Sequence, residues 1–140
     1  MEREYNILII DDEKEILATY KDHFVKREFH VDTAHDGAEG LEKLKNGEFD
    51  VAIVDILMPK MNGIEMIRQA HEAGIDTSMI VLTGHGGGEE AIAAINIGVD
   101  AWFEKSGINM TDLFSKVKEL AEGVSLDEIR RILSVIPEKD

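Results

Sequence analysis

Five short apolar runs recur along the chain, and each gives way to a polar or charged residue. Tyr5–Ile10 runs into Asp11-Asp12-Glu13, and His30–Ala34 into His35-Asp36. Asp50–Val54 is followed by Asp55, Ser78–Leu82 by Thr83-Gly84, and Asp100–Glu104 by Lys105. The runs are strand-length, and the third is apolar throughout its interior, as strands covered on both faces are. Helical periodicity fills the gaps between them. Ile16, Leu17, Tyr20 and Phe24 share one side of a helix over 14–27, and Ala38, Leu41 and Leu44 one side of a second, capped by Asp36. Further helices are expected over 64–73, closed by Gly74, over 89–97, capped by Gly98, and over 112–122, with Leu113, Val117 and Leu120 inward.

Five βα units of this length predict an α/β fold, a parallel sheet with helices on both faces. The natural topology is the doubly wound, flavodoxin-like one, with strand order 2-1-3-4-5. At 140 residues the chain suits one domain, over 1–122. The segment 123–140 exceeds what five units need. Ser125-Leu126-Asp127-Glu128 matches a capping box, Leu126, Ile129, Leu133 and Ile136 make an apolar stripe, and Pro137 stops it. An extra C-terminal amphipathic helix is expected, packed on the domain or mediating a homodimer.

Composition narrows the function. Without a cysteine, thiolate metal sites and cysteine nucleophiles are excluded. Fifteen basic against 29 acidic side chains give a net charge of −14, with no concentrated basic face for nucleic acid or an anionic membrane. No apolar run reaches membrane-span length and no export signal opens the chain, so a cytoplasmic protein is expected. The histidines form no pair with metal-ligand spacing, and His85 reads as an exposed loop residue.

In a doubly wound sheet the functional site lies beyond the carboxyl ends of the strands. Asp11, Asp12, Asp55, Thr83 and Lys105 all stand at such ends and should converge. Alone, Asp11 and Asp12 would serve as helix caps and Lys105 as a surface lysine. Together they make chemical sense: clustered carboxylates favour a hard divalent cation such as Mg²⁺, and a carboxylate can attack phosphorus. A hydroxyl and an ammonium would then take the remaining phosphoryl oxygens.

Asp11-Asp12-Glu13, Asp55-Ile56-Leu57-Met58-Pro59 with Gly63, Thr83-Gly84 and Lys105 together resemble the signature of two-component response-regulator receiver domains. The likeness spans Tyr5 to about Glu122, and its strength lies in four elements in order, each at its own strand end. It implies a phosphorylation-activated signalling switch rather than a turnover enzyme. Asp55 would be the phosphoacceptor, receiving its group from a sensor histidine kinase or phosphotransfer protein. Asp11, Asp12, Asp55 and the Leu57 backbone carbonyl would hold Mg²⁺, and Thr83 and Lys105 would contact the phosphoryl group. Thr83 and Trp102 would form the switch, remodelling the surface of the fourth helix, fifth strand and fifth helix for a downstream partner or output domain.

Three features depart from the family pattern. Ser106 follows Lys105 where proline is common, and the switch aromatic is Trp rather than Tyr or Phe. Gly84-His85-Gly86-Gly87-Gly88 predicts a mobile loop after Thr83. Rival classes stay open. A phosphorylation-independent adaptor would need none of this pocket, and a flavodoxin-like cofactor binder would set carboxylates against its phosphate. A haloacid-dehalogenase-like phosphatase would need D-x-D-x-T/V after the first strand, which Asp11-Asp12-Glu13 does not supply.

Overall fold

The computed structural model describes residues 4–84, 88–123, 130–131 and 133–134. Strands β1 (Asn6–Ile10), β2 (His30–Ala34), β3 (Val51–Asp55), β4 (Ser78–Thr83) and β5 (Ala101–Glu104) alternate with helices. These are α1 (Lys14–Val25), α2 (Gly37–Asn46), α3 (Gly63–Glu72), α4 (Gly88–Asn96) and α5 (Met110–Glu122). All strand pairs are parallel, in the order β2-β1-β3-β4-β5. That is the doubly wound topology expected from the alternating pattern.

Side-chain alternation divides the core into two layers. Leu8, Ile10, Ala52, Val54, Met79 and Val81 meet Leu41 and Leu44 of α2, Met66 and Ile67 of α3 and Ala94 of α4. Ile7, Ile9, Ile53, Ile80 and Leu82 face the other way, onto Leu17, Tyr20 and Phe24 of α1 and Leu113 and Val117 of α5. The second layer ends in an aromatic cluster, where Phe24 sits edge-on to Phe29 and Phe114 with centroids 5.3 and 4.6 Å apart.

The buried side of α2 differs from the expected one. Ala38 is exposed, and Gly37, Gly40, Leu41 and Leu44 are buried. A Cβ on Gly40 would come within 2.7 Å of Ile10 Cδ1, and one on Gly37 within 2.7 Å of the Met61 carbonyl oxygen. The glycines belong to the packed face because only a bare backbone fits so close.

Asp50 and Asp100 stand just before their strands rather than opening them. Asp50 accepts from the Asn6 N–H at 2.9 Å and Asp100 from the Met79 N–H at 2.8 Å, satisfying donors at the start of the neighbouring strands. Helix α5 likewise starts earlier than expected, because Asn109 caps it through the Asp112 N–H. The Asp36 cap forms as expected, and Gly74 and Gly98 take positive φ just past α3 and α4.

Arg130, Arg131, Leu133 and Ser134 are helical and exposed, Leu133 at 60%. The capping box over 125–128 and the other stripe positions, Leu126, Ile129 and Ile136, lie outside the described residues. So do His85, Gly86 and Gly87 of the loop expected to be mobile. Among the described residues no helix is long and apolar enough to cross a membrane.

Candidate functional site

The parallel register carries the polar strand ends to one edge of the sheet. Ile10 pairs with Val54, so Asp11 follows β1 beside Asp55, the last residue of β3. Asp55 pairs with Leu82 and Thr83 with Glu104, which sets Thr83 and Lys105 next along the same edge. The Lys105 N–H donates to the Thr83 carbonyl at 2.8 Å and fixes the end of β5. No peptide bond of the described residues is cis, so Ser106 follows Lys105 through a trans bond.

Carboxylate oxygens of Asp11, Asp12 and Asp55 lie within 4.8 Å of one another. Lys105 reaches between two of them, with Nζ 2.8 Å from Asp11 Oδ2 and 3.0 Å from Asp55 Oδ2. Asp11 is fully buried, Asp55 is 2% exposed and Asp12 is exposed. Three carboxylates and one ammonium leave the cluster at a formal −3 + 1 = −2 when all are ionised.

Asp11 and Asp12 do not cap α1. The residue at the cap is Glu13, without a side-chain cap bond, and Asp11 Oδ1 instead accepts from the Glu13 N–H at 2.9 Å. Asp11 Oδ2 has the Lys105 ammonium as its partner. Three carboxylates gathered around a single ammonium are an oxygen-only donor set with surplus negative charge. Such a set fits a hard divalent cation.

Burial pushes the Asp55 carboxyl up from its ordinary 3.8 to about 6, and the charge of Asp11 pushes the same way. The Lys105 ammonium and the Leu57 N–H, which donates to Asp55 Oδ1 at 3.2 Å, oppose that rise. Burial alone would lower Lys105, but its pairing with Asp11 and Asp55 outweighs this and holds it above 10.5. Lys105 therefore stays charged at neutral pH and Asp55 is mostly ionised.

Thr83 is fully buried at the site, but its hydroxyl turns toward β5 and donates to the Phe103 carbonyl at 3.4 Å. Trp102 stands outside the cluster. It pairs with Val81 on the α4 side of the sheet and is 42% exposed. Leu57 is 59% exposed at the rim.

Gly63, part of the family signature, shapes the site through its lack of a side chain. A Cβ there would run into the Asp55 carbonyl oxygen and come within 2.9 Å of Val54 Cγ1. Gly63 directly follows Asn62, which caps α3 by accepting from the Glu65 N–H at 2.9 Å, at a position where any good helix former would otherwise serve. A second group, His35, Asp36 and Glu39, also clusters at the start of α2. Its bonds are accounted for by the Asp36 cap, the His35–Glu39 pair and the Lys43–Glu39 pair.

The sequence profile of the response regulator receiver domain matches residues 7–118. The chain belongs to this family. It is therefore a receiver domain of the two-component signalling systems, a signalling protein. It is 28% identical over 122 residues to response regulator MprA of Mycobacterium sp. (strain KMS), covering 87% of this chain and 53% of that protein. Transcriptional regulatory protein DltR of Streptococcus agalactiae serotype III (strain NEM316) is 30% identical over 99 residues, covering 71% and 44%. The receiver thus spans about half the length of the curated relatives it matches.

Among solved structures, the receiver resembles the CheY-like response regulator receiver domain protein of Methanospirillum hungatei JF-1. That match has a TM-score of 0.80 at 31% identity, covering 92% of this chain and 99% of the other. It also resembles response regulator TrrA of Thermotoga maritima, solved in complex with Mg²⁺-BeF. Here the TM-score is 0.74 at 31% identity, over 83% and 98% of the two chains.

Proposed function

We propose that this receiver takes a phosphoryl group onto Asp55 in a Mg²⁺-dependent reaction and holds it as a signal. The observation that carries the reading is the Lys105 ammonium 2.8 and 3.0 Å from Asp11 and Asp55, at the strand ends where the family signature places all three. The neighbour TrrA, solved with Mg²⁺-BeF, supports it.

An ionised Asp55 needs no base. One carboxylate oxygen bonds to phosphorus while the bond from phosphorus to the donor breaks, the electron pair leaving with the donor. The donor is the phosphohistidine of a sensor histidine kinase or phosphotransfer protein. Asp11, Asp12, Asp55 and the Leu57 carbonyl would hold Mg²⁺, which neutralises charge on the transferring group. Lys105 gives up one carboxylate contact to meet a phosphoryl oxygen, and Asp11 keeps it oriented.

The Thr83 hydroxyl leaves its long bond to Phe103 for another phosphoryl oxygen, and Trp102 follows into the vacated space. That motion couples the site to the surface of α4, β5 and α5, where Ile92 and Ile95 are about 60% exposed. A downstream protein or output domain would read this surface in the cytoplasm, as would a second copy in a homodimer. A phosphatase reading has no D-x-D motif to rest on, and a phosphorylation-independent adaptor leaves the buried Asp11 and Asp55 and their partner Lys105 without a role.

Trp102 is the sole tryptophan, so its fluorescence reports the switch directly. Adding beryllium fluoride with Mg²⁺ should change its emission in the wild type and leave Asp55→Asn unchanged. The same response in Asp55→Asn, or one independent of Mg²⁺, would sink the proposal.

A further inference from the structure

Ile92, Ile95 and Trp102 are large apolar side chains left exposed, at 60%, 61% and 42%. Packing of α4 and β5 sets them outward. Ala91 and Ala94 are buried, so Ile92 and Ile95, one position further on, stand about 100° round the helix and face away from the core. Trp102 lies on the α4 side of β5, the edge strand of the sheet. Each apolar group has an exposed acid on its own row. Glu89 precedes Ile92 by one helical turn, and Glu104 follows Trp102 by two residues on the same face of the strand.

No lysine or arginine occurs between Arg68 and Lys105, a stretch that holds Glu72, Asp76, Glu89, Glu90, Asp100 and Glu104. The next two ammonium groups are both engaged, Lys105 with Asp11 and Asp55, and Lys116 of α5 with Glu119 at 2.9 Å. The face is thus apolar at its centre and acidic beside it, and neither α4 nor β5 carries a cation. Of the readers open to this surface, charge favours a basic protein over a second copy. A copy docked across a two-fold axis would set the patch on itself, glutamate toward glutamate. Strand β5 has only four residues, a short edge for another strand to extend. Ile92 and Ile95 instead form a ridge suited to the apolar stripe of a helix.

We propose that this face takes a basic amphipathic helix of a partner protein. Its apolar stripe would lie on Ile92, Ile95 and Trp102, and its lysines or arginines would stand opposite Glu89 and Glu104. The assignment rests on the reading of α4, β5 and α5 as the surface that the phosphoryl site remodels, and adds the chemistry of what binds there. The apolar contacts supply affinity, and the acids select the sign of the partner's charge and steer its approach.

Two synthetic helical peptides with one apolar pattern test this, one carrying only lysine at its polar positions and the other only glutamate. Binding to the full chain is followed by the methyl signals of Ile92 and Ile95 and the indole signal of Trp102, with and without beryllium fluoride and Mg²⁺. The lysine peptide should bind at least about tenfold tighter than the glutamate peptide, with shifts centred on these three residues. Glu89→Lys with Glu104→Lys should weaken the lysine peptide at least about tenfold. Glu42→Lys with Glu48→Lys makes the same change of net charge at exposed positions on and just past α2, and should alter binding by less than about twofold. Equal losses in the two variants would assign binding to the overall charge of the chain and overturn the proposal. So would equal affinity of the two peptides, shifts centred elsewhere, or a dimer of the free chain that covers Ile92 and Ile95. Lysine-peptide binding at this face that ignores beryllium fluoride would uphold the partner chemistry and remove the switch. A Trp102 response to beryllium fluoride without any peptide preference would uphold the switch and sink the partner chemistry.

Discussion

Removing the charge of Asp55 should stabilise the protein when no divalent cation is present. Its carboxyl is 2% exposed and sits beside the buried Asp11. A rise from 3.8 in the unfolded chain to about 6 in the fold corresponds to roughly 3 kcal/mol against the ionised form. Because the folded value is the higher one, the native state binds more protons between the two values. The full penalty is thus present above pH 6, shrinks as the pH falls through 6, and is gone below 3.8.

Asparagine keeps the shape and can still accept from the Leu57 N–H, while Lys105 retains Asp11 as a partner. The roughly 3 kcal/mol is already net of the Lys105 contact, and an amide fits the charged surroundings less well than a neutral carboxyl. Urea unfolding in EDTA at pH 7.5 should therefore show Asp55→Asn more stable by about 1–3 kcal/mol, a gain of several degrees in Tm for a domain of this size. The difference should shrink toward zero near pH 4. A variant less stable than wild type at pH 7.5, or a difference that ignores pH, would refute this account of the site.

Two further substitutions probe the same cluster. Lys105→Met leaves Asp11 and Asp55 facing each other without a cation, so unfolding in EDTA at pH 7.5 should show a loss of about 1–3 kcal/mol. Saturating Mg²⁺ should restore much of that loss. Gly63→Ala forces a methyl group against the Asp55 carbonyl oxygen, and should cost about 1–3 kcal/mol in the same assay while slowing phosphoryl uptake. Wild-type stability in that variant would mean that α3 can move away from β3 freely.

Strand order and site were legible for one physical reason. Buried parallel strands are apolar runs, so a charged residue at a run's end stands out and the topology says where it goes. Asp11, Asp55, Thr83 and Lys105 were all visible this way. Close backbone approach was harder to read. Gly37, Gly40 and Gly63 have no side chain to signal that a neighbour occupies the space, and by apolar periodicity Ala38 reads as the buried residue of α2 instead of Gly37 and Gly40. Orientation was equally hidden. Nothing in the residue string says that the Thr83 hydroxyl turns to Phe103, or that Asp50 and Asp100 accept from the Asn6 and Met79 N–H groups of adjacent strands.

The most direct test of the central claim is intact mass after incubation with acetyl phosphate, with and without Mg²⁺, on wild type and Asp55→Asn. The account predicts a single phosphoryl adduct on the wild type that requires Mg²⁺, and none on Asp55→Asn. A wild type that takes up no phosphoryl group from acetyl phosphate or from a phosphorylated kinase, or an adduct that persists in Asp55→Asn, would contradict it.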